Sequence, residues 1–137
     1  MMFTTAAACL ALAVYHEARG EPLTGQQVVS EVILNRVDHP SYPDTVCGVV
    51  TQHNTPVSRP RACQFSFYCD GVSDKPSDTA AWAAAQAVAE DALAGDLLGT
   101  NATHFHTKSV SPSWAKRLTM VGSVGSHVFY TDGKLDK

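Results

Sequence analysis

The chain has 137 residues, 45% of them apolar and 17% charged, with a formal charge of −3. That length suits one domain, residues 1–137, with a core of its own, and the composition excludes a disordered chain. The charge offers no basic field for nucleic acid, so any anionic polymer must be held by local contacts.

Residues 1–14 have the apolar character of a secretory h-region, yet no Lys or Arg precedes Arg19, so the charged n-region is missing. The run also falls short of the roughly 20 residues that span a bilayer. It reads as a mature core helix, capped by Thr4 or Thr5 and running to about Ala18. The chain is therefore expected to carry no export signal of its own and to make no stable membrane insertion. Ala6, Leu10, Ala13, Val14 and Glu17 follow three-to-four spacing, so one face is core and Glu17 closes it. Burial and the negative end of the helix dipole both push a carboxyl there toward the protonated form, which is what a general acid needs.

Gly20-Glu21-Pro22 breaks that helix. Thr24-Gly25-Gln26-Gln27 reads as a capping box for a second helix to about Val37, with Val28, Val29, Val32, Ile33 and Val37 as its buried stripe. Asn35 and Arg36 at its far end are surface residues or a brace for the first helix. A Pro-containing turn follows, and Asp44 caps a short helix over 45–52. Residues 53–61 hold two prolines and two arginines without periodicity and read as a loop, a cleft wall or flap.

Residues 64–71 are dense in aromatics. They form either a strand with Phe65, Phe67 and Cys69 on one side or an extended segment lining a groove. Ser77 or Asp78 caps a third helix over 79–94 that Gly95 ends. Its inner face is Trp82, Ala85, Val88, Ala89 and Ala92. Residues 102–106 alternate like a strand, and Pro112-Ser113-Trp114 opens a helical turn. Residues 119–131 carry a Gly-x-x-Gly and then 126–130, which pairs with the earlier strand as a small antiparallel sheet. Residues 132–137 read as a frayed tail. The fold class is α+β, mainly helical.

Of the four cysteines, Cys9 lies in the apolar run as a small buried hydrophobe. Cys47, Cys63 and Cys69 form one disulfide in an oxidising compartment or stay free thiols; their spacings make no zinc framework.

Three chemistries fit these residues. A glycosidase would use Glu17 as acid, with a second carboxylate from Glu21, Glu31, Asp44 or Asp70, or with a nucleophile internal to the sugar that needs none. A metal-dependent hydrolase would take His104, His106 and His127, with Asp70 or a thiolate as fourth ligand. A binding module without catalysis would use aromatics such as Tyr15, Phe65, Phe67 and Trp114 as sugar platforms. Against these stand plainer roles: Glu17 and Arg19 solvating a helix end, histidines satisfied in a sheet, and aromatics in the core.

The string Tyr15-His16-Glu17-Ala18-Arg19-Gly20-Glu21-Pro22 resembles the signature of the SleB-type cell-wall hydrolases, the spore-cortex-lytic enzyme family. The likeness continues in order through Val32-Ile33-Leu34-Asn35-Arg36-Val37, Tyr42-Pro43-Asp44-Thr45-Val46-Cys47-Gly48, Gln64-Phe65-Ser66-Phe67, Cys69-Asp70-Gly71, Ala102-Thr103-His104-Phe105-His106, Pro112-Ser113-Trp114 and Gly125-Ser126-His127-Val128-Phe129-Tyr130. The resemblance implies a lysozyme-like fold related to lytic transglycosylases. It implies cleavage of the β-1,4 bond between N-acetylmuramic acid and N-acetylglucosamine in peptidoglycan, without metal or cofactor. Glu17 falls on the family's catalytic glutamate, and Gln64, Phe65, Ser66, Thr103, His104 and Tyr130 fall where a glycan groove is expected. A 1,6-anhydro product is implied, with a hydrolytic muramidase as the alternative. A Cys47–Cys69 bridge is implied first, then Cys47–Cys63 or Cys63–Cys69. The short format, with no export signal and no separate wall-binding domain, resembles a phage endolysin. The expectation is then a monomer made in the cytoplasm, released through a holin, and acting on the wall outside.

Overall fold

The computed structural model describes residues 5–54 and 63–134. The expected loop over 53–61 lies outside the described residues from 55 onward, as do Thr4 and the tail beyond 134. Among the described residues there are four α-helices and a three-stranded sheet, an α+β arrangement that is mainly helical.

The first helix, α1 (Ala6–Ala18), starts where the Thr5 hydroxyl accepts from the Ala8 N–H at 3.1 Å. Its alanines and leucines favour helix. Residues 9–15 are all buried, so α1 is enclosed on every side rather than on one face. α2 (Leu23–Val37), α3 (Val46–Val50) and α4 (Thr79–Leu93) pack around it. The small residues Ala85, Ala89 and Ala92 give α4 its close approach. Asp78 caps α4 by accepting from the Ala81 N–H at 3.0 Å, and Gly95 beyond its end has φ +91°.

α2 differs from the expected capping box. It begins at Leu23 after Pro22, with no side-chain cap, and Thr24 is exposed. Pro22 already sets the entry angle, and the Gln26 amide, not Gln27, reaches back to donate to the Glu21 carbonyl at 3.0 Å. Thr45, not Asp44, caps α3, accepting from the Gly48 N–H at 2.9 Å. Asn35 and Arg36 are neither plain surface residues nor a brace for α1; they hold the segment over 100–103. Asn35 donates to the carbonyls of Thr100 and Ala102 (3.0 and 2.8 Å), and Arg36 Nε donates to the Thr103 carbonyl at 2.8 Å. α2 thus carries the segment that leads into the sheet.

The sheet has order β1-β3-β2, with β1 (His104–Thr107), β2 (Thr119–Val124) and β3 (His127–Thr131) antiparallel. The expected β1–β3 pairing is present, with His104 opposite Tyr130 and Phe105 opposite Phe129. Phe129 and Phe105 pack onto Val28, Val29 and Val32 of α2. Residues 64–71 are neither strand nor extended: Ser66–Tyr68 is a 3-10 turn. The alternation survives, since Phe65, Phe67 and Cys69 are buried while Ser66 and Tyr68 are exposed, but a bridge from Cys63 to Cys69 folds the segment on itself.

The cysteine pairing corrects two expectations. Cys9 is not a free hydrophobe; it bonds Cys47 across 5.3 Å between Cα atoms, tying α1 to α3. The Cys47–Cys69 and Cys47–Cys63 bridges are therefore absent, and Cys63–Cys69 is the second pair.

Candidate active site

Glu17 is the penultimate residue of α1, and its neighbours in the motif are each committed elsewhere. The buried Tyr15 hydroxyl accepts from the Ser77 and Asp78 N–H groups at 3.2 and 3.1 Å, joining α1 to the start of α4. His16 stacks on Phe67 at 4.5 Å, and its Nε2 lies 2.9 Å from the Asp74 carbonyl. The Arg19 guanidinium lies over the Tyr15 ring at 4.7 Å. With these anchors fixed, Glu17 alone is left to face a cleft of about 180 Å³.

Arg36, Gln64, Phe65, His104, Phe105 and Trp114 line that cleft with it. Among the described residues no group hydrogen-bonds the Glu17 carboxyl. Burial pushes its pKa up to about 7, against a smaller opposing pull from the Arg36 cation. Arg36 is itself buried, held by the Thr103 carbonyl and lying over the rings of Tyr42 and Phe65 at 4.8 and 5.5 Å. The same burial, aided by Arg36, lowers His104 to about 4, so its imidazole is neutral near pH 7. His104 Nδ1 lies 2.8 Å from the Thr103 hydroxyl and Nε2 lies 3.3 Å from the Tyr42 hydroxyl.

Of the residues expected to bind substrate, Gln64, Phe65 and His104 line the cleft with Glu17, while Ser66, Thr103 and Tyr130 do not. Ser66 is exposed on the 3-10 turn. Thr103 is fully buried and orients His104. Tyr130 is buried beneath Trp114, at 5.5 Å between rings, with its hydroxyl 2.9 Å from His106 Nε2. Arg36 and Phe105 were not singled out as site residues. The signal for Arg36 was a cation closing an apolar helical stripe, and that for Phe105 was its place between two histidines.

The other acids are engaged away from this cleft. Glu21 accepts from the Ser126 N–H at 2.8 Å and from its hydroxyl at 2.6 Å, which pins the β2–β3 turn and holds the Glu21 carboxyl below its ordinary pKa. Glu31 is buried and accepts from the N–H groups of Leu98 and Thr100. Asp70 accepts from the Val72 N–H. Among the described residues Glu17 is the single carboxylate on the cleft.

The metal alternative fails on geometry. His104 and His106 flank Trp114 on one face of the sheet, at 5.3 and 5.7 Å between rings. His127, opposite Thr107, lies on the other face against Phe105. The three imidazoles therefore cannot meet at one ion, and no group of three His, Cys, Asp or Glu is placed to hold one among the described residues.

Beside the cleft lies a second chamber of about 290 Å³, and Gln64 and His104 line both. His39 in its wall is buried, with Nε2 2.7 Å from Asp132 Oδ2. The arrangement supplies a carboxyl that keeps its proton near neutrality, a buried cation to receive the charge when that proton leaves, and a neutral imidazole and carboxamide to bond an uncharged polar substrate.

The sequence profile of the Cell Wall Hydrolase family matches residues 20–130. The chain is 36% identical over 122 residues to the spore cortex-lytic enzymes of Halalkalibacterium halodurans and Bacillus cereus, matching 88% of this chain and 33% and 42% of those proteins. It therefore spans about a third to two fifths of the length of these relatives. The catalytic domain of the germination-specific lytic transglycosylase SleB from Bacillus anthracis superimposes with TM-score 0.72 and 30% identity, over 95% of this chain and 97% of that domain. The SleB catalytic domain of Bacillus cereus gives TM-score 0.68. The lysozyme-like architecture expected from the sequence is the one these domains share with it.

Proposed function

The chain belongs to the Cell Wall Hydrolase family, and on that footing we propose that it cuts the glycan strands of peptidoglycan as a lytic transglycosylase, with Glu17 as the acid. The observation that carries the reading is a single carboxyl, raised to about 7, on a cleft that holds no second carboxylate among the described residues. A hydrolase of the two-carboxylate kind needs a partner to activate water or attack the sugar. A transglycosylase does not, because the substrate brings its own nucleophile.

In this reading Glu17 gives its proton to the glycosidic oxygen as the bond from muramic C1 breaks. N-acetylglucosamine leaves with a free hydroxyl, and an oxocarbenium-like centre remains on the muramic ring. The Arg36 cation stabilises the carboxylate so formed. That carboxylate then takes the proton of the muramic 6-hydroxyl as its oxygen closes on C1. The product is a 1,6-anhydro end, and Glu17 is protonated again. Neutral His104 and the Gln64 carboxamide hydrogen-bond the sugar's hydroxyl and acetamido groups, and Trp114 supplies an apolar surface for a ring.

Mass spectrometry of muropeptides released from purified walls tests this. Ends lighter by one water support transglycosylation; reducing ends on every fragment would assign a muramidase instead. Action at the wall, beyond the membrane, fits two disulfides. The relatives in Halalkalibacterium halodurans and Bacillus cereus are spore cortex-lytic enzymes, and the phage setting is tested separately by whether lysis of an expressing host requires a co-expressed holin.

A further inference from the structure

We propose that the chamber beside the Glu17 cleft binds the peptide stem carried by N-acetylmuramic acid, so that the enzyme reads the branch as well as the glycan strand. This rests on the peptidoglycan reading above. Gln64 and His104 line both the chamber and the cleft, so a substituent on a ring held in the cleft has the chamber as its neighbouring space. In muramic acid that substituent is the lactyl ether, which continues as a chain of amides ending in carboxylates.

The walls suit such a chain. Gln52 and Gln64 are set side by side, because the Gln64 N–H donates to the Gln52 carbonyl at 3.0 Å. The Gln52 side-chain Oε1 faces no donor among the described residues although it is buried. A buried acceptor without a donor costs free energy, and a peptide N–H reaching into the chamber would satisfy it. Lys134 stands at the chamber's rim with no ion-pair partner among the described residues, placed for a stem carboxylate. Asp132, the acid nearby, is occupied: it accepts from His39 at 2.7 Å and from the Lys134 N–H at 3.1 Å.

A second sugar ring fits less well. Sugar subsites use an open aromatic face, and the ring in this chamber, Tyr42, is already covered by Arg36 at 4.8 Å and met by His39 at 4.9 Å. The stacking surface belongs to the cleft, at Trp114.

Two substrates of equal glycan length test the proposal: strands with intact tetrapeptide stems, and the same strands stripped of stems by an amidase. Intact strands are expected to give kcat/KM roughly tenfold higher, mostly through KM. Lys134→Met and, separately, Gln52→Leu are expected to narrow that gap to about twofold or less. Lys134 is exposed, so its variant keeps the fold if the Gln52 variant does not. Equal kcat/KM on both substrates overturns the stem assignment, and so does a variant that loses the same factor on both, as a sugar subsite or a purely structural residue would. Failure to release any fragment from either substrate sinks the transglycosylase reading itself, and this inference with it.

Discussion

Glu17→Gln keeps the side-chain shape and removes the proton. The rise of the Glu17 carboxyl from 4.5 to about 7 amounts to a penalty of about 3 kcal/mol on its ionised form in the folded chain. In the unfolded chain the group ionises at its ordinary value. Between 4.5 and about 7 the folded chain therefore holds more protons than the unfolded one, and stability falls as pH rises through that window, then levels off. Glutamine never ionises and escapes the loss. The variant is expected to unfold in urea with a free energy up to about 3 kcal/mol above wild type at pH 8, with the difference nearly gone at pH 4. Lysis of purified walls, followed by turbidity, should fall by roughly 10²–10⁴-fold. Parallel stability curves for the two proteins across pH would refute the buried-acid argument. A variant that still lyses walls would remove Glu17 from the chemistry.

The kcat/KM profile of the wild type should fall about tenfold per pH unit above about 7, as free-enzyme Glu17 loses its proton, and bend down again near 4, where His104 gains one; a profile flat from pH 6 to 9 would contradict it. Gly125→Ala should destabilise the domain by about 2 kcal/mol in urea melts, because Gly125 has φ +57° and a Cβ there would sit 2.4 Å from Glu21 Oε1 and 2.8 Å from Pro22 Cδ. Replacing Cys9 and Cys47 together by alanine opens a bridge spanning 38 residues, and a chain-entropy estimate puts the loss at about 4 kcal/mol; unchanged urea midpoints would show that the two thiols are unpaired in solution.

The helices were legible because their signals are local. Thr5 and Asp78 sit where caps belong, and the valines of α2 and the alanines of α4 repeat with helical period. Glu17 was legible for a related reason: an ionisable group closing an apolar run has few places to go but a buried edge. The remaining acids show the limit. Glu21 and Glu31 look no different from Glu17 as letters, and only the folded chain decides that Ser126 and the Leu98–Thr100 backbone reach the first two while the third is left unbonded. β2 escaped notice because it is an edge strand with Met120 62% exposed and Val121 40%, so no alternation marks it. The Cys9–Cys47 pair escaped because its proximity comes from helix packing, which spacing along the chain does not encode.

The enclosure of α1 divides the domain into a part that is hard to alter and a part that is free to drift. Glu17, the proposed proton donor, is the tip of an axle, and shifting it means disturbing every helix that surrounds the shaft. The surfaces proposed to meet the polymer come instead from separate pieces of chain: the 64–65 segment, β1, the turn bearing Trp114, and the stretch ending at Lys134. Phe65 belongs to the cluster that encloses the axle and Phe105 packs against it, whereas the turn bearing Trp114 and the stretch ending at Lys134 stand outside that cluster and can be exchanged without touching it. New wall chemistries should therefore be reachable by grafting the two outer pieces, with the proposed acid and its tuning inherited intact.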